Sequence, residues 1–343
     1  MPRRLRSGVP SLLLALSFLL SAVPAARAGE RVVFGLNWVA EAEYGGFYQA
    51  LATGIYARYG LEVEIRQGGP QVPHAQLLAA GRLDLGLADN MLISFNFVEQ
   101  GVPVVAVAAF FQKPPQALLA HPDAGIDDFA DLRGRTLLVA TEDRLTWWRW
   151  LKRLHGLSDD QLRPYTFNPA PFLADREVVM QAYVTAEPCI VREVGGFEPR
   201  VLMLADAGWT TYANILQVRR DLLERRRDAI RRFVDASIEG WYDYLYGDPE
   251  PAHALIRREN PEMSESFLAC ARRRLIAHGI VDSGDALTLG IGAMTEARWR
   301  DFHDRMVKAD VVPAGLPWRE AFTLDFVNRG HGLERKAALQ RGR

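Results

Sequence analysis

Apolar positions along the chain recur in two rhythms. In "LEVEIRQ", Leu61, Val63 and Ile65 alternate with charged neighbours, the two-residue period of a half-buried strand. "RVVFGLNW" reads as an earlier strand, and Tyr44 to Tyr59 has the spacing of one helix. "VPHAQLLAAG" predicts a helix stopped at Gly81, a residue suited to ending helices. "LDLGLAD" predicts a short strand, "MLISFNFVEQG" a helix, and "VPVVAVAAF" a strand buried on both faces. This βαβαβαβ succession predicts an α/β fold around a parallel sheet.

The pattern breaks at "FFQKPPQALLAHP", whose proline pair reads as a crossover into a second lobe. Beyond it, "DDFADLRG" predicts a short helix capped by Asp127 or Asp128, "RTLLVAT" a strand and "RLTWWRWLKRLHGL" a helix. "REVVMQAYVTAEPCIV" reads as a helix running into a strand. After "PRVLMLAD" the chain is expected to return, with a strand and a long helix in "NILQVRRDLLERRRDAIRRFVDASIEGWYDYLYGDP". From Pro249 onward the pattern is almost all helical. The expected organisation is a two-lobed α/β protein with crossings near 111–116 and 204–212. Residues 29–112 and 209–343 form the first lobe and 113–208 the second. Loops at the carboxyl ends of the strands face a ligand cleft between them.

The amino terminus changes the picture of where this fold works. Arg3, Arg4 and Arg6 precede the apolar run "SLLLALSFLL", and "ARA" ends at Ala28, so residues 1–28 read as a cleavable signal peptide. No cysteine follows to carry a lipid anchor. The whole chain has 41 basic and 42 acidic side chains, a net charge of -1. Loss of the leader removes four arginines and no acid, which leaves a net acidic protein and argues against nucleic acid as a partner. The mature protein is expected to be soluble and monomeric. Cys189 and Cys270 are the two cysteines. Their wide separation makes two unpaired thiols the favoured expectation, with a disulfide as the alternative, and no paired Cys/His spacing suggests zinc.

Several stretches taken together resemble a known family. They are "NWVAEAEYGGFYQALATGIYARYGLEVEI", "LLAAGRLDLGLAD", "GVPVVAVAAFFQKPPQALLAHPDAGIDDFADLRGRTLLVA", "MQAYVTAEP" and "NILQVRRDLLERRRDAIRRFVDASIEGWYDYLYGDPEPAHALI". They resemble the thiamine-pyrimidine-precursor binding and biosynthesis family, relatives of the sulfonate, taurine and nitrate binding proteins of ABC importers. The resemblance implies a periplasmic binding protein type II fold with a hinge and an inter-lobe cleft. It also implies permease subunits as partners, with membrane contact only through them. The fungal pyrimidine-making relative uses a cysteine cluster and a histidine, and this chain has no such cluster. That departure favours the transport-receptor branch.

Each candidate ligand contact has a structural alternative. Trp38, Glu41 and Tyr44 follow the first strand, where the family places aromatic and polar contacts. Glu41 and Glu43 also complement the positive end of a helix. Tyr48, Tyr56 and Tyr59 lie at helical spacing and read as core or surface. Asp89 and Asn90 end a strand, and either one can cap the next helix. Phe111 ends the strand before the first crossing. In "VATEDRLTWWRW", sulfonate and nitrate binders present a helix start to an anion. Here Thr141 is followed by Glu142 and Asp143, which disfavour an anion, and either Trp147 or Trp148 faces the cleft. Tyr183 and Glu187 in "YVTAEPCI" face the second lobe's mouth, with an ion pair from Glu187 to Arg192 as the alternative. Asn214 reads as a hinge residue or a ligand contact.

Little in the sequence supports catalysis. His74, His121, His155, His253, His278, His303 and His331 are scattered, and no nucleophile, zinc or phosphate-loop motif accompanies them. Beyond the leader the lysines are Lys113, Lys152, Lys308 and Lys336, and none sits in a cofactor motif. No metal or cofactor is expected. The Arg-rich face of "RRDLLERRRDAIRR" reads as solvated i,i+4 pairs, with permease docking as the alternative. The expected ligand is a small aromatic N-heterocycle such as a thiamine pyrimidine precursor. The alternatives are a sulfonate, taurine or nitrate receptor, a pyrimidine biosynthesis enzyme, or the receptor of a membrane sensor.

Overall fold

The computed structural model describes Met1 and residues 29–342, so the expected leader lies outside the described residues. The chain runs through β1 (Glu30–Gly35), α1 (Gly45–Ala52), α2 (Ile55–Arg58), β2 (Leu61–Arg66), α3 (His74–Ala79), β3 (Leu85–Ala88), α4 (Met91–Glu99) and β4 (Val104–Phe111). It then crosses to β5 (Gln116–Ala120), β6 (Thr136–Val139), α5 (Trp147–His155), β7 (Leu162–Pro164), α6 (Ala170–Ala174), β8 (Val178–Tyr183), α7 (Glu187–Ile190) and β9 (Arg200–Met203). It returns through β10 (Ala213–Arg219), α8 (Arg220–Arg225), α9 (Arg227–Tyr246), α10 (Glu250–Glu259), α11 (Glu265–Ala277), α12 (Ala286–Leu289), α13 (Glu296–Lys308) and α14 (Leu333–Arg341).

Two five-stranded sheets form the two lobes, ordered β2-β1-β3-β10-β4 and β7-β6-β8-β5-β9. The parallel-sheet expectation is corrected here. β1 pairs in parallel with β2 and β3, but β10 enters antiparallel between β3 and β4. β5 is likewise antiparallel to β8 and β9. The returning strand completes the first sheet from 102 residues downstream of β4, and local periodicity cannot report so distant a pairing. All eight residues of β4 are buried; Phe322 and Gly292 bridge its outer edge at Ala106 and Ala109, and Phe47 and Trp241 pack on Phe110 and Phe111.

Three local expectations are also corrected. The helix read across Tyr44–Tyr59 breaks at Gly54, which takes a left-handed conformation (φ +69°) between α1 and α2. "QALLA" after the proline pair is the fully buried strand β5. The stretch read as helix then strand is the reverse, β8 followed by α7, since Val178, Val179 and Met180 pair with β5 and β6. By contrast, Asp128 caps its short turn in a reciprocal arrangement with Asp131, as expected of that sequence.

The glycine pair of "EYGGFY" has a packing role. A methyl group on Gly46 would come within 2.2 Å of the Trp241 ring, and one on Gly240 within 2.3 Å of the Gly46 carbonyl. Their absence lets α1 lie directly against α9. That contact anchors the turn Ala42–Tyr44 at the start of α1, and this turn carries Glu43 and Tyr44. Among the described residues no helix is long and apolar enough to cross a membrane.

Candidate functional site

Five carboxyl groups converge between the lobes. Glu41 and Glu43 come from the turn after β1, Asp89 from the end of β3, Asp143 from the loop after β6, and Glu187 from the start of α7. Each sits where a strand hands over to a helix, so the sheets aim them at the space between the lobes. Burial raises the pKa of all five, and repulsion within the group adds to it at Glu41, Asp143 and Glu187. Glu41 is pushed well up by desolvation and then by Glu43 and Glu187. Glu43 and Asp89 rise through desolvation, partly relieved by the side chains of Thr185 and Asn37 respectively and by backbone N–H groups. Asp143 is pushed up to about 7 by desolvation, with Asp89 adding to it. Glu187 also reaches about 7, mainly through desolvation. Among the described residues, the charged side chains that shift Glu41, Asp89, Asp143 and Glu187 most are other acids.

Neutral donors hold the group in place. The Asn37 amide donates to Asp89, and Tyr44 donates its hydroxyl to the Asn37 carbonyl oxygen at 3.0 Å. Thr185 donates to Glu43 across the lobes, and the Asn214 amide donates to the Glu43 backbone carbonyl at 2.9 Å. Glu187 accepts the Tyr183 backbone N–H at 2.8 Å and the Tyr165 hydroxyl at 3.3 Å. Gln181 donates to Asp143 at 2.8 Å while accepting the Ala140 N–H at 2.6 Å. One acceptor is left over: Oε2 of Glu43 is buried with no partner among the described residues. Unpaired buried acceptors are costly and rare, which makes this oxygen an acceptor in waiting. The carboxylates do not form a metal cage among the described residues.

Aromatic rings close the mouth. Trp38 of the first lobe packs on Phe167 of the second with ring centroids 4.5 Å apart, and Tyr165 lies 5.3 Å from Phe167. Phe167 remains 40% exposed and holds φ at +60°, a left-handed conformation that a bulky residue rarely adopts. Strain of this kind persists where surroundings impose it.

The expected site residues divide into three groups. Glu41, Tyr44, Asp89, Tyr183 and Glu187 come together electrostatically, with Trp38 at the mouth. Trp147 is buried against Asp143 and favours its ionised form, whereas Trp148 turns away to donate to Asp159 at 2.7 Å. Asn90 caps α4 through the Leu92 N–H, Phe111 packs on Trp241, and Thr141 is exposed. Asn214 takes φ +43° and secures the turn carrying Glu43 from β10. Glu187 does not pair with Arg192, which instead approaches the Cys270 sulfur at 2.9 Å. Asn37, Tyr165 and Gln181 carry no signal of a site in the sequence, and Glu43 and Asp143 read there as helix-start acids. The residue types alone carried no signal separating these from ordinary surface polar groups.

The cysteines depart from the favoured expectation of two separate thiols. Cys189 of α7 and Cys270 of α11 form a disulfide, with Cα atoms 6.2 Å apart. The fold brings α7 and α11 side by side although the two cysteines are 81 positions apart in sequence.

Comparison with known proteins places these features in a family. The family described as NMT1/THI5 like matches residues 41–252. The riboflavin-binding protein RibY of Chloroflexus aurantiacus is 25% identical over 328 residues, covering 90% of each chain. The 4-amino-5-hydroxymethyl-2-methylpyrimidine phosphate synthase of Schizosaccharomyces pombe is 24% identical over 63% of this chain and 66% of its own. The solved periplasmic aliphatic sulphonate binding protein SsuA of Escherichia coli superposes with a TM-score of 0.62. It is 16% identical and covers 85% of this chain and 91% of its own, a likeness of fold.

Proposed function

Because the chain belongs to the NMT1/THI5-like family, we propose that it is the periplasmic substrate-binding component of an ABC importer and holds a small aromatic N-heterocycle, of the class of an amino-substituted pyrimidine, between its lobes. The observation that carries this reading is the buried carboxyl cluster with its spare Glu43 acceptor. An amino-substituted ring offers N–H donors to several acids at once. Charge-assisted bonds of this kind contribute about 1.5–3 kcal/mol each. Trp38, Tyr44 and Tyr183 supply flat faces for a ring. A sulfonate or nitrate would instead meet a group of acids that repel it.

Binding is favoured over catalysis by the state of the reactive groups. The two cysteines are joined to each other, and Lys113 at the first crossing pairs with Asp206 at 3.2 Å. The sequence signature of residues 1–28 supports export, and the SsuA fold supports work in the periplasm with permease subunits.

A thermal-shift panel on the protein from Gly29 tests the ligand class. It includes 4-amino-5-hydroxymethyl-2-methylpyrimidine, thiamine, riboflavin, purines, taurine, an alkanesulfonate and nitrate. A ligand at 100 times its Kd adds about 2.7 kcal/mol of stability. A shift with the aminopyrimidine, reduced in Glu187→Ala, is expected. A shift confined to taurine, the alkanesulfonate or nitrate would sink the reading.

A further inference from the structure

The Cys189–Cys270 bond connects the two lobes, and nothing in the ligand chemistry above requires it. Cys189 lies one helical turn past Thr185, whose hydroxyl reaches Glu43. Cys270 lies on α11, which packs on the turn Ala42–Tyr44 that carries Glu43. The disulfide therefore runs beside the inter-lobe hydrogen bond and joins the same two walls of the cleft. The lobes are otherwise connected covalently by residues 112–115 and 204–212. Two tethers leave rotation about the line between them, the hinge closure by which two-lobed binding proteins admit and release ligand.

The third tether stands off that line. Ile280, beyond the end of α11, accepts backbone N–H groups from Gln112 at 2.7 Å and Lys113 at 3.1 Å, so this end of α11 is fixed to the first crossing. Cys270 is seven residues before the last residue of α11, about 10 Å along the helix at 1.5 Å per residue. Disulfides hold Cα atoms within about 6.8 Å, and here they are already 6.2 Å apart. The Cα atom of Cys189 therefore cannot leave that of Cys270 by more than about 0.6 Å, and α7 can move against α11 only by pivoting there. We infer that the Cys189–Cys270 disulfide is a cross-cleft tether that restricts lobe opening and thereby sets the rate of ligand exchange at the carboxyl cluster. The statement about exchange rests on the binding reading; the restriction on opening does not.

Cys189 and Cys270 are only 2% and 4% exposed, so complete reduction is verified by thiol counting before exchange is measured. A depression of about 570 Å³ is lined by both cysteines together with Arg192 and Arg273. Reduction passes two electrons and two protons from the dithiol to the pair, giving two cysteine thiols and the oxidised, cyclic reagent. Arg192, already 2.9 Å from the Cys270 sulfur, would favour a thiolate there.

Hydrogen exchange on ligand-free protein tests the tether without reference to any ligand. Wild type is compared oxidised and after dithiothreitol, alongside the double variant Cys189→Ser/Cys270→Ser. Breaking the bond is expected to speed exchange about tenfold or more in segments 36–44 and 183–187, with β1 and β6 unchanged, and to enlarge the radius of gyration in solution scattering. The reduced wild type carries the comparison if the double variant does not fold. Equal exchange in the two cleft segments of oxidised and reduced protein would overturn the inference, and so would acceleration spread uniformly over the strands. A failed ligand panel would leave this result standing.

Discussion

The hydroxyl of Thr185 in the second lobe donates to the carboxyl of Glu43 in the first, and the two side chains are 0% and 2% exposed. Thr185 is the side-chain donor to Glu43 among the described residues, and the other carboxyl oxygen has no partner. Thr185→Val keeps the shape and removes the donor. Leaving a buried acceptor unsatisfied costs about 1–3 kcal/mol, and each kcal/mol lowers the Tm of a chain this size by about 1–2 °C. Thr185→Ser should retain most of the stability. Calorimetry showing Thr185→Val and Thr185→Ser alike would mean that the bond does not hold the lobes.

The carboxyl cluster should make the ligand-free protein less stable as the pH rises. Asp143 and Glu187 titrate at about 7 in the fold because burial disfavours their anions, against about 4 in an unfolded chain. Their neutral forms stabilise the fold fully below about pH 4, and that contribution is lost as the pH climbs to about 7. Buried His74 and His253, lowered to about 4 by desolvation, act in the opposite sense between about pH 4 and 6.5. Glu187→Gln isolates the carboxyl effect. At pH 7.5 it should be more stable than wild type by about 1–3 kcal/mol, with little difference at pH 4.5. Melting curves of the two proteins that stay parallel from pH 4.5 to 7.5 would contradict the burial argument.

Trp38 and Phe167 meet at the mouth, so loss of either ring should change ligand release more than folding. Phe167→Asn removes the ring and suits the left-handed backbone at φ +60°. Stability should move by less than about 1 kcal/mol, since the residue is already 40% exposed. Stopped-flow release of whichever ligand the thermal panel identifies should be several-fold faster. Unchanged release in both Phe167→Asn and Trp38→Ala would remove the aromatic pair from the exchange path.

Gly46→Ala tests the seating of the turn that carries Glu43. The added methyl group would meet the Trp241 ring at 2.2 Å, and overpacking of this severity costs roughly 1–3 kcal/mol. The substitution should lower both the Tm and ligand affinity, because α1 cannot shift from α9 without moving Glu43. Full affinity at reduced Tm would separate the packing from the site.

Much of this protein was legible in its residue order because the relevant forces are local. The β1–β4 succession, the cap at Asp128 and the crossing at the proline pair all follow from side-chain periodicity and backbone preference within a few residues. Glu41, Asp89 and Glu187 were candidates because acids at the carboxyl ends of strands point to where sheets place ligands. The insertion of β10 between β3 and β4, the β8–α7 order and the Cys189–Cys270 bond depended on partners far along the chain. The sequence by itself determined most of the strand and helix succession of the first lobe and the α/β character of the chain. Only the tertiary structure decided that Glu43 and Asp143, ordinary acids at helix starts, lose their water beside three more carboxyls. Desolvation and repulsion depend on distances across the cleft, and those exist only once both sheets are assembled.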